Sequence, residues 1–106
     1  MKIDRTPLEF HRVQQQGRVL LIEPPLSVIP ILDEEAQDVL IAEEADIGLQ
    51  AFAASRALLE VEIVQQLFFL WDEYARESTD KLTPSAQQLQ ESLRKRMREG
   101  SDAARS

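Results

Sequence analysis

His11 is the sole histidine of the chain, so any imidazole base or imidazole metal ligand must be that residue. It falls on the polar side of the alternating stretch Pro7 to Val13, where a solvated surface histidine is the simpler assignment. The acid pairs Glu34-Glu35, Glu43-Glu44 and Asp72-Glu73 carry enough charge for a hard cation. Neighbouring residues of a strand point to opposite faces, however, so Glu43 and Glu44 cannot serve one ion together. Neither an EF-hand spacing nor a two-histidine-carboxylate pattern occurs, no serine sits in a nucleophile elbow, and the three glycines are too scattered for a phosphate loop. The absence of cysteine removes disulfides, thiolate zinc sites and thiol catalysis together. These residue types argue against an enzyme, a metal centre or a cofactor. They leave charge and apolar surface as the chemistry to be explained.

The charge is divided along the chain. The net value is −7, yet from Glu23 to Asp80 fourteen acidic residues face only Arg56 and Arg76. The last stretch, from Lys81 onward, carries a basic excess concentrated in Arg94, Lys95, Arg96 and Arg98. An acidic body disfavours non-specific nucleic-acid binding and favours a basic partner. Asp33, Glu34, Glu35, Asp38, Glu43, Glu44 and Asp46 are the candidate electrostatic contact for such a partner. The four C-terminal cations would support only weak, salt-sensitive contact with RNA or DNA, since no aromatic platform lies among them. Positive charge there also complements a helix dipole.

The elements that position these groups divide into a strand-rich first half and a helical second half. Pro7 to Val13 alternates, with Leu8 and Phe10 inward, and Gln14-Gln15-Gln16-Gly17 is the turn after it. Arg18 to Glu23 reads as a central strand because Val19-Leu20-Leu21-Ile22 is apolar on both faces, and Pro24-Pro25 is expected to end it. Leu26 to Leu32 has strand composition, but Pro30 confines it to an edge, a bulge or a loop. Val39 to Glu43 and Ile47 to Ala53 read as two further strands joined by an acidic turn.

The strongest pattern is the helix from Ser55 to Ala75. At about 100° per residue, Ala57, Val61, Val64, Phe68, Trp71 and Ala75 form one apolar stripe, and Leu59, Ile63, Leu67, Leu70 and Tyr74 a second beside it. The combined arc is roughly 200°, where a helix on a single core shows little more than 100°. Val61, Val64, Phe68, Trp71 and Tyr74 are therefore expected to meet a second layer or a second subunit. Phe69 lies on the otherwise polar face near Leu58 and is a candidate interface residue. Ser55 can cap this helix and Thr83-Pro84 can open another, whose stripe Ala86, Leu89, Leu93 and Met97 would cover the long helix's second flank as an antiparallel pair. Gly100 is a natural helix stop, and residues 101–106 are expected to be a disordered tail.

The run Ile47-Gly48-Leu49-Gln50-Ala51-Phe52-Ala53-Ala54-Ser55-Arg56, passing into a helix that ends Phe69-Leu70-Trp71-Asp72-Glu73-Tyr74-Ala75, resembles the HicB-like antitoxin group, as does Leu82-Thr83-Pro84. The resemblance covers about residues 39–97. It implies a dimeric α+β protein that binds a small basic RNase toxin. Ala53-Ala54-Ser55 stands where that group usually has glycine and threonine, and Leu58-Leu59 where it usually has Glu-Ala. No ribbon-helix-helix or helix-turn-helix segment follows within these 106 residues, so no operator-binding role is implied.

The expected architecture is one α+β domain over residues 1–100: an antiparallel sheet of about four strands, a long helix on one face (about 55–77) and a second helix (about 84–98). The expected function is a cytoplasmic protein-binding module of the antitoxin type with a small basic partner. The alternatives are a homodimeric assembly protein without a toxin, and a weak nucleic-acid binder through the basic helix. No apolar run reaches membrane-spanning length.

Overall fold

The computed structural model describes residues 6–35 and 38–101. It is α+β, with two three-stranded antiparallel sheets in place of the single four-stranded sheet expected. In the first sheet β2 (Arg18–Val28) lies between β1 (Leu8–Gln15) and β6 (Met97–Ser101). In the second, β4 (Leu40–Glu44) lies between β3 (Ile31–Leu32) and β5 (Leu49–Ala53). The long helix α1 (Arg56–Leu70) continues through a wider, π-type turn at Trp71–Ala75, and α2 is Pro84–Arg96.

The β1–β2 hairpin closes on Gln16 and Gly17, both with positive φ (51° and 78°), between the paired residues Gln15 and Arg18. Two positive-φ residues give the turn whose twist matches that of antiparallel strands. β2 does not stop at the two prolines. Phe10 pairs with Leu26 and Arg12 with Leu21, so Pro24 and Pro25 lie in a bulge opposite His11. A bulge demands no ladder hydrogen bond from them, which is why the strand survives two residues that cannot donate. Leu26–Val28 then completes β2, and Ile31–Leu32 begins the second sheet.

The wide apolar face of α1 is covered by both sheets: the helix packs against β5 and β4 on one side and β1 on the other. Leu59, Ile63 and Leu67, one helical turn apart, are fully buried. They join Leu20, Ile22 and Leu26 of the first sheet and Ala42, Leu49 and Ala51 of the second in one core. Ser55 caps the helix, its Oγ accepting from the Leu58 amide at 3.2 Å. Thr83 caps α2 in the same way at the Ala86 amide, with Pro84 in the first turn.

α2 does not lie alongside α1 as an antiparallel partner. It packs against the Trp71–Ala75 turn and the short 3₁₀ turn Ala45–Ile47. Its docking face is polar as well as apolar. Beside buried Leu93, Gln90 Nε2 donates to the carbonyls of Tyr74 (2.9 Å) and Glu77 (2.7 Å), and Arg94 Nε donates to Ala75 O at 2.8 Å. Tyr74 O and Ala75 O are carbonyls that the last helical turn leaves without intrahelical partners, and Glu77 O belongs to the bend just after it. α2 stops at Arg96, two residues before the expected end, and Met97–Ser101 pairs with β2 from Ile22 back to Arg18. The two prolines, the extra strand and the second sheet together account for the difference from the expected single sheet. Gly100 is therefore a strand residue and no helix stop, and Ser101, the first residue of the expected disordered tail, ends β6. The rest of that tail, 102–106, lies outside the described residues, as do residues 36 and 37 of the acidic turn.

Candidate interaction surface

Where the first sheet meets the end of α1, an ion cluster closes the core. Arg18 grips Asp72 with two parallel bonds, Nη1 to Oδ2 at 2.9 Å and Nη2 to Oδ1 at 2.7 Å, while its Nε donates to Glu99 at 3.2 Å. Its guanidinium carbon stands 5.1 Å from the centre of the Phe68 ring, and Trp71 Nε1 donates to Glu99 at 3.0 Å. The Arg18 hydrogen bond holds the Asp72 carboxyl below the usual carboxylate range, and holds Glu99 low in the same way with help from Trp71. A lowered folded-state value means stability that is present above the ordinary carboxylate pKa and lost as pH falls through the lowered values. Because the groups are about one-third exposed, the contribution is modest. Arg18→Met is expected to cost roughly 1–2 kcal/mol near neutral pH. The gap from wild type should narrow as urea titrations are repeated below about pH 4. A gap that stays constant with pH would show that Arg18 acts through packing alone.

The acidic residues singled out from sequence do not form one surface. Asp33, Glu34, Glu35 and Asp38 belong to the β3–β4 turn, where Asp33 accepts from the Glu35 amide at 2.9 Å. Glu43, Glu44 and Asp46 lie at the far end of β4, about 13 Å of strand away. Glu43 faces outward beside Gln50. Glu44 and Asp46 are held internally by Arg96, at 3.7 Å and 3.5 Å. The hydrogen bond to Asp46, with partial burial, raises the Glu44 carboxyl, and Arg96 opposes that rise.

The basic residues Arg94, Lys95, Arg96 and Arg98 do come together, lining one small groove of about 210 Å³ with Leu21, Glu23 and Met97, but most of them are also engaged within the chain. Arg96 also donates to the carbonyls of Pro24 and Pro25, at 3.3 Å and 3.4 Å, so the proline bulge is tied to the end of α2. Arg94 is committed to the end of α1, and Lys95 pairs with Glu91 on the surface. Arg98 lies on the outer side of β6, in register with Leu21 and Arg12. His11 is exposed in the bulge. Among the described residues no three histidine, aspartate or glutamate side chains gather in a group suited to a metal, and no helix is long and apolar enough to cross a membrane.

Exposed apolar surface is concentrated in two places. On the outer face of the second sheet, Ile31, Ile41 and Phe52 stand in one cross-strand row, with Ile31 and Phe52 each 48% exposed. The other is the outward face of α1, which emerges between the two sheets. Leu58, Val61 and Phe69 are 57%, 54% and 59% exposed there. Phe69 thus stands on the surface as its place in the helix pattern indicates. Val61, which the pattern assigns to a second layer or a second subunit, is not covered by any layer of this chain. Val64, Trp71 and Tyr74 are partly buried against the core, and Phe68 is within it.

Two grooves flank this face. One, of about 530 Å³, lies between α1 and the tip of the β1–β2 hairpin; Ala57, Val61 and Val64 line it with Glu60 and Gln14 to Gln16. The other, of about 510 Å³, lies toward the second sheet and is lined by Phe69, Glu62, Gln66 and Gln50 among others. Gln65 borders both. On the second side the Gln66 side chain accepts from the Gln50 amide at 3.4 Å, satisfying an outward backbone donor of edge strand β5. On the first side the Oε1 of Gln15 is buried without a hydrogen-bond partner among the described residues.

Sequence reasoning places Glu62 and Gln65 around Phe69, but it misses Glu60 and the hairpin tip as parts of this surface. The usable signal was angular: Leu58, Gln65 and Phe69 fall within a narrow sector of α1. Comparison of the chain with known protein families, with curated proteins and with solved structures finds no match.

Proposed function

We propose that this protein is a small protein-binding module whose partner is a compact basic protein, in the manner of an antitoxin that occludes a toxin. The observation that carries the reading is the open apolar face of α1. Leu58, Val61 and Phe69 are each more than half exposed on a helix whose opposite side is fully packed. Large apolar side chains grouped on a rigid element are the usual anchors of a protein interface. The net charge of −7 adds a field that speeds encounter with a basic partner. The HicB-like resemblance over residues 39–97 supplies the toxin as the kind of partner.

The test is recovery of partners on the tagged protein from its native lysate at low and high salt, alongside the double variant Leu58→Ser/Phe69→Ser. A small basic protein held by the wild type, reduced at high salt and lost from the variant, is the expected result. Recovery of the bait alone, as a dimer by light scattering, would replace this reading with a homodimeric assembly role.

A further inference from the structure

We infer that the outward face of α1 receives a single amphipathic helix of the partner, with Lys or Arg flanking its apolar stripe. This rests on the interaction-module reading and specifies its contact. The exposed residues Leu58, Val61, Gln65 and Phe69 run along α1 at spacings of three and four, which is the ridge that a facing helix meets. Ala57 and Val64 beside that ridge are small enough to let a second helix approach on the hairpin side. From Leu58 to Phe69 the ridge runs about 16 Å, enough for roughly three turns of a partner.

Charge selects the occupant. Glu60 borders the groove on the hairpin side and Glu62 the groove toward the second sheet, and neither groove has Lys or Arg in its lining. A facing helix therefore meets acidic and no basic charge in the grooves beside it, with Glu62 next to the ridge and Glu60 across the hairpin groove beyond Ala57 and Val64. That favours cations at the flanking positions of the incoming stripe. A second copy of this chain would bring the same two glutamates to the shared margin, because a two-fold interface pairs one patch with itself. Like charges there oppose self-association. Gln65, central to the ridge, is a polar residue that would fix the register of the incoming helix.

The probe is a pair of 18-residue helical peptides sharing one leucine stripe, flanked by lysine in one and by glutamate in the other. A third peptide has the lysine composition in scrambled order. Binding is read by fluorescence anisotropy at low salt and by amide chemical-shift changes on the labelled protein. The lysine-flanked peptide is expected to bind at least about tenfold more tightly than either control, with shifts confined to α1 and the hairpin tip. Glu60→Lys/Glu62→Lys should reverse the preference toward the glutamate-flanked peptide, and this double variant lies on the surface and leaves the core intact. Equal binding of the ordered and scrambled lysine peptides would overturn the inference, leaving only general attraction to an acidic protein. So would concentration-dependent dimerisation abolished by Val61→Asp, which would give the face to a second copy. If the lysate partner is retained by the double variant at wild-type strength, the helix contact fails while the interaction-module reading stands. If the peptides behave as expected and no cellular partner is recovered, the contact stands and the proposed function fails.

Discussion

Replacing Gln90 by leucine is expected to lower stability by about 3 kcal/mol, a larger loss than its single amide group suggests. Gln90 is 3% exposed, the one buried polar residue among those described. Its amide nitrogen donates to Tyr74 O and Glu77 O, and its oxygen accepts from Thr79 Oγ1 at 2.8 Å. Leucine has nearly the same volume, so packing changes little. The loss falls on the Tyr74 carbonyl, left without this bond, and on Glu77 O, left with only the 3.4 Å bond from Arg94, while exposed Thr79 can turn to water. Thr79→Val removes only one of those bonds and should cost about 1 kcal/mol. Gln90→Glu should be worst at neutral pH, because carboxylate oxygens would then face two carbonyls. Burial would raise the pKa of that new carboxyl, so its penalty applies above the raised value and should shrink as acidification restores a donor. Thermal melts of the three variants would give the order Glu, Leu, Val from least to most stable. A Gln90→Leu protein within about 0.5 kcal/mol of wild type would mean that α2 is held by Leu93 alone.

Gln90 also marks where sequence reading stops. The apolar stripe Ala86, Leu89, Leu93, Met97 is visible in the pattern, and it suggests a helix lying beside α1. Gln87, Gln90 and Arg94 form a second stripe on the same helix, and it is this one that finds the free carbonyls around the end of α1. Gln87 Nε2 donates to Thr79 O and Leu82 O in the same fashion. Polar side chains that will bond to distant backbone look, in sequence, like any solvated helix face. Arg94 and Arg96 mislead for that reason: two of the four apparent surface cations also bond to backbone carbonyls of distant segments.

The strands show the same division between local and distant causes. The Gln16-Gly17 turn, the central place of Val19 to Ile22 and the caps at Ser55 and Thr83 depend on neighbours in the chain, and each is legible. β6 is not. Met97 stands four residues after Leu93, so it continues the helical stripe, yet it is also the first inward residue of the strand, with Arg98 outward and Glu99 turned to Arg18. A run this short satisfies both periods. What decides it is the free edge of β2, contributed by residues some 75 positions earlier. The second sheet escaped notice for a related reason, since β3 is only two residues long. Of the interaction surface, Phe69 was legible because it breaks a polar face, whereas Val61 was not, because an open valine and a buried one have the same spacing.

Leu67 and Val61 make that last distinction measurable. Both belong to the roughly 200° apolar arc of α1, and sequence gives them equal claim to the core. Leu67 is fully buried between the sheets, while Val61 is 54% exposed beside the hairpin groove. Leu67→Ala should cost about 3 kcal/mol, combining lost transfer energy with a cavity that two sheets cannot close from both sides. For a domain of this size that is a fall of about 15 °C in melting temperature. Val61→Ser removes an apolar group that is already half in water and should cost well under about 1 kcal/mol. The same substitution should weaken capture of a partner, because its side chain lies at the middle of the open face. Stability and binding thus separate along one helix, Leu67 affecting the first and Val61 the second. If Val61→Ser proves as destabilising as Leu67→Ala, the outward face of α1 is closed in solution, and the interaction surface must be sought on the Ile31–Ile41–Phe52 row instead.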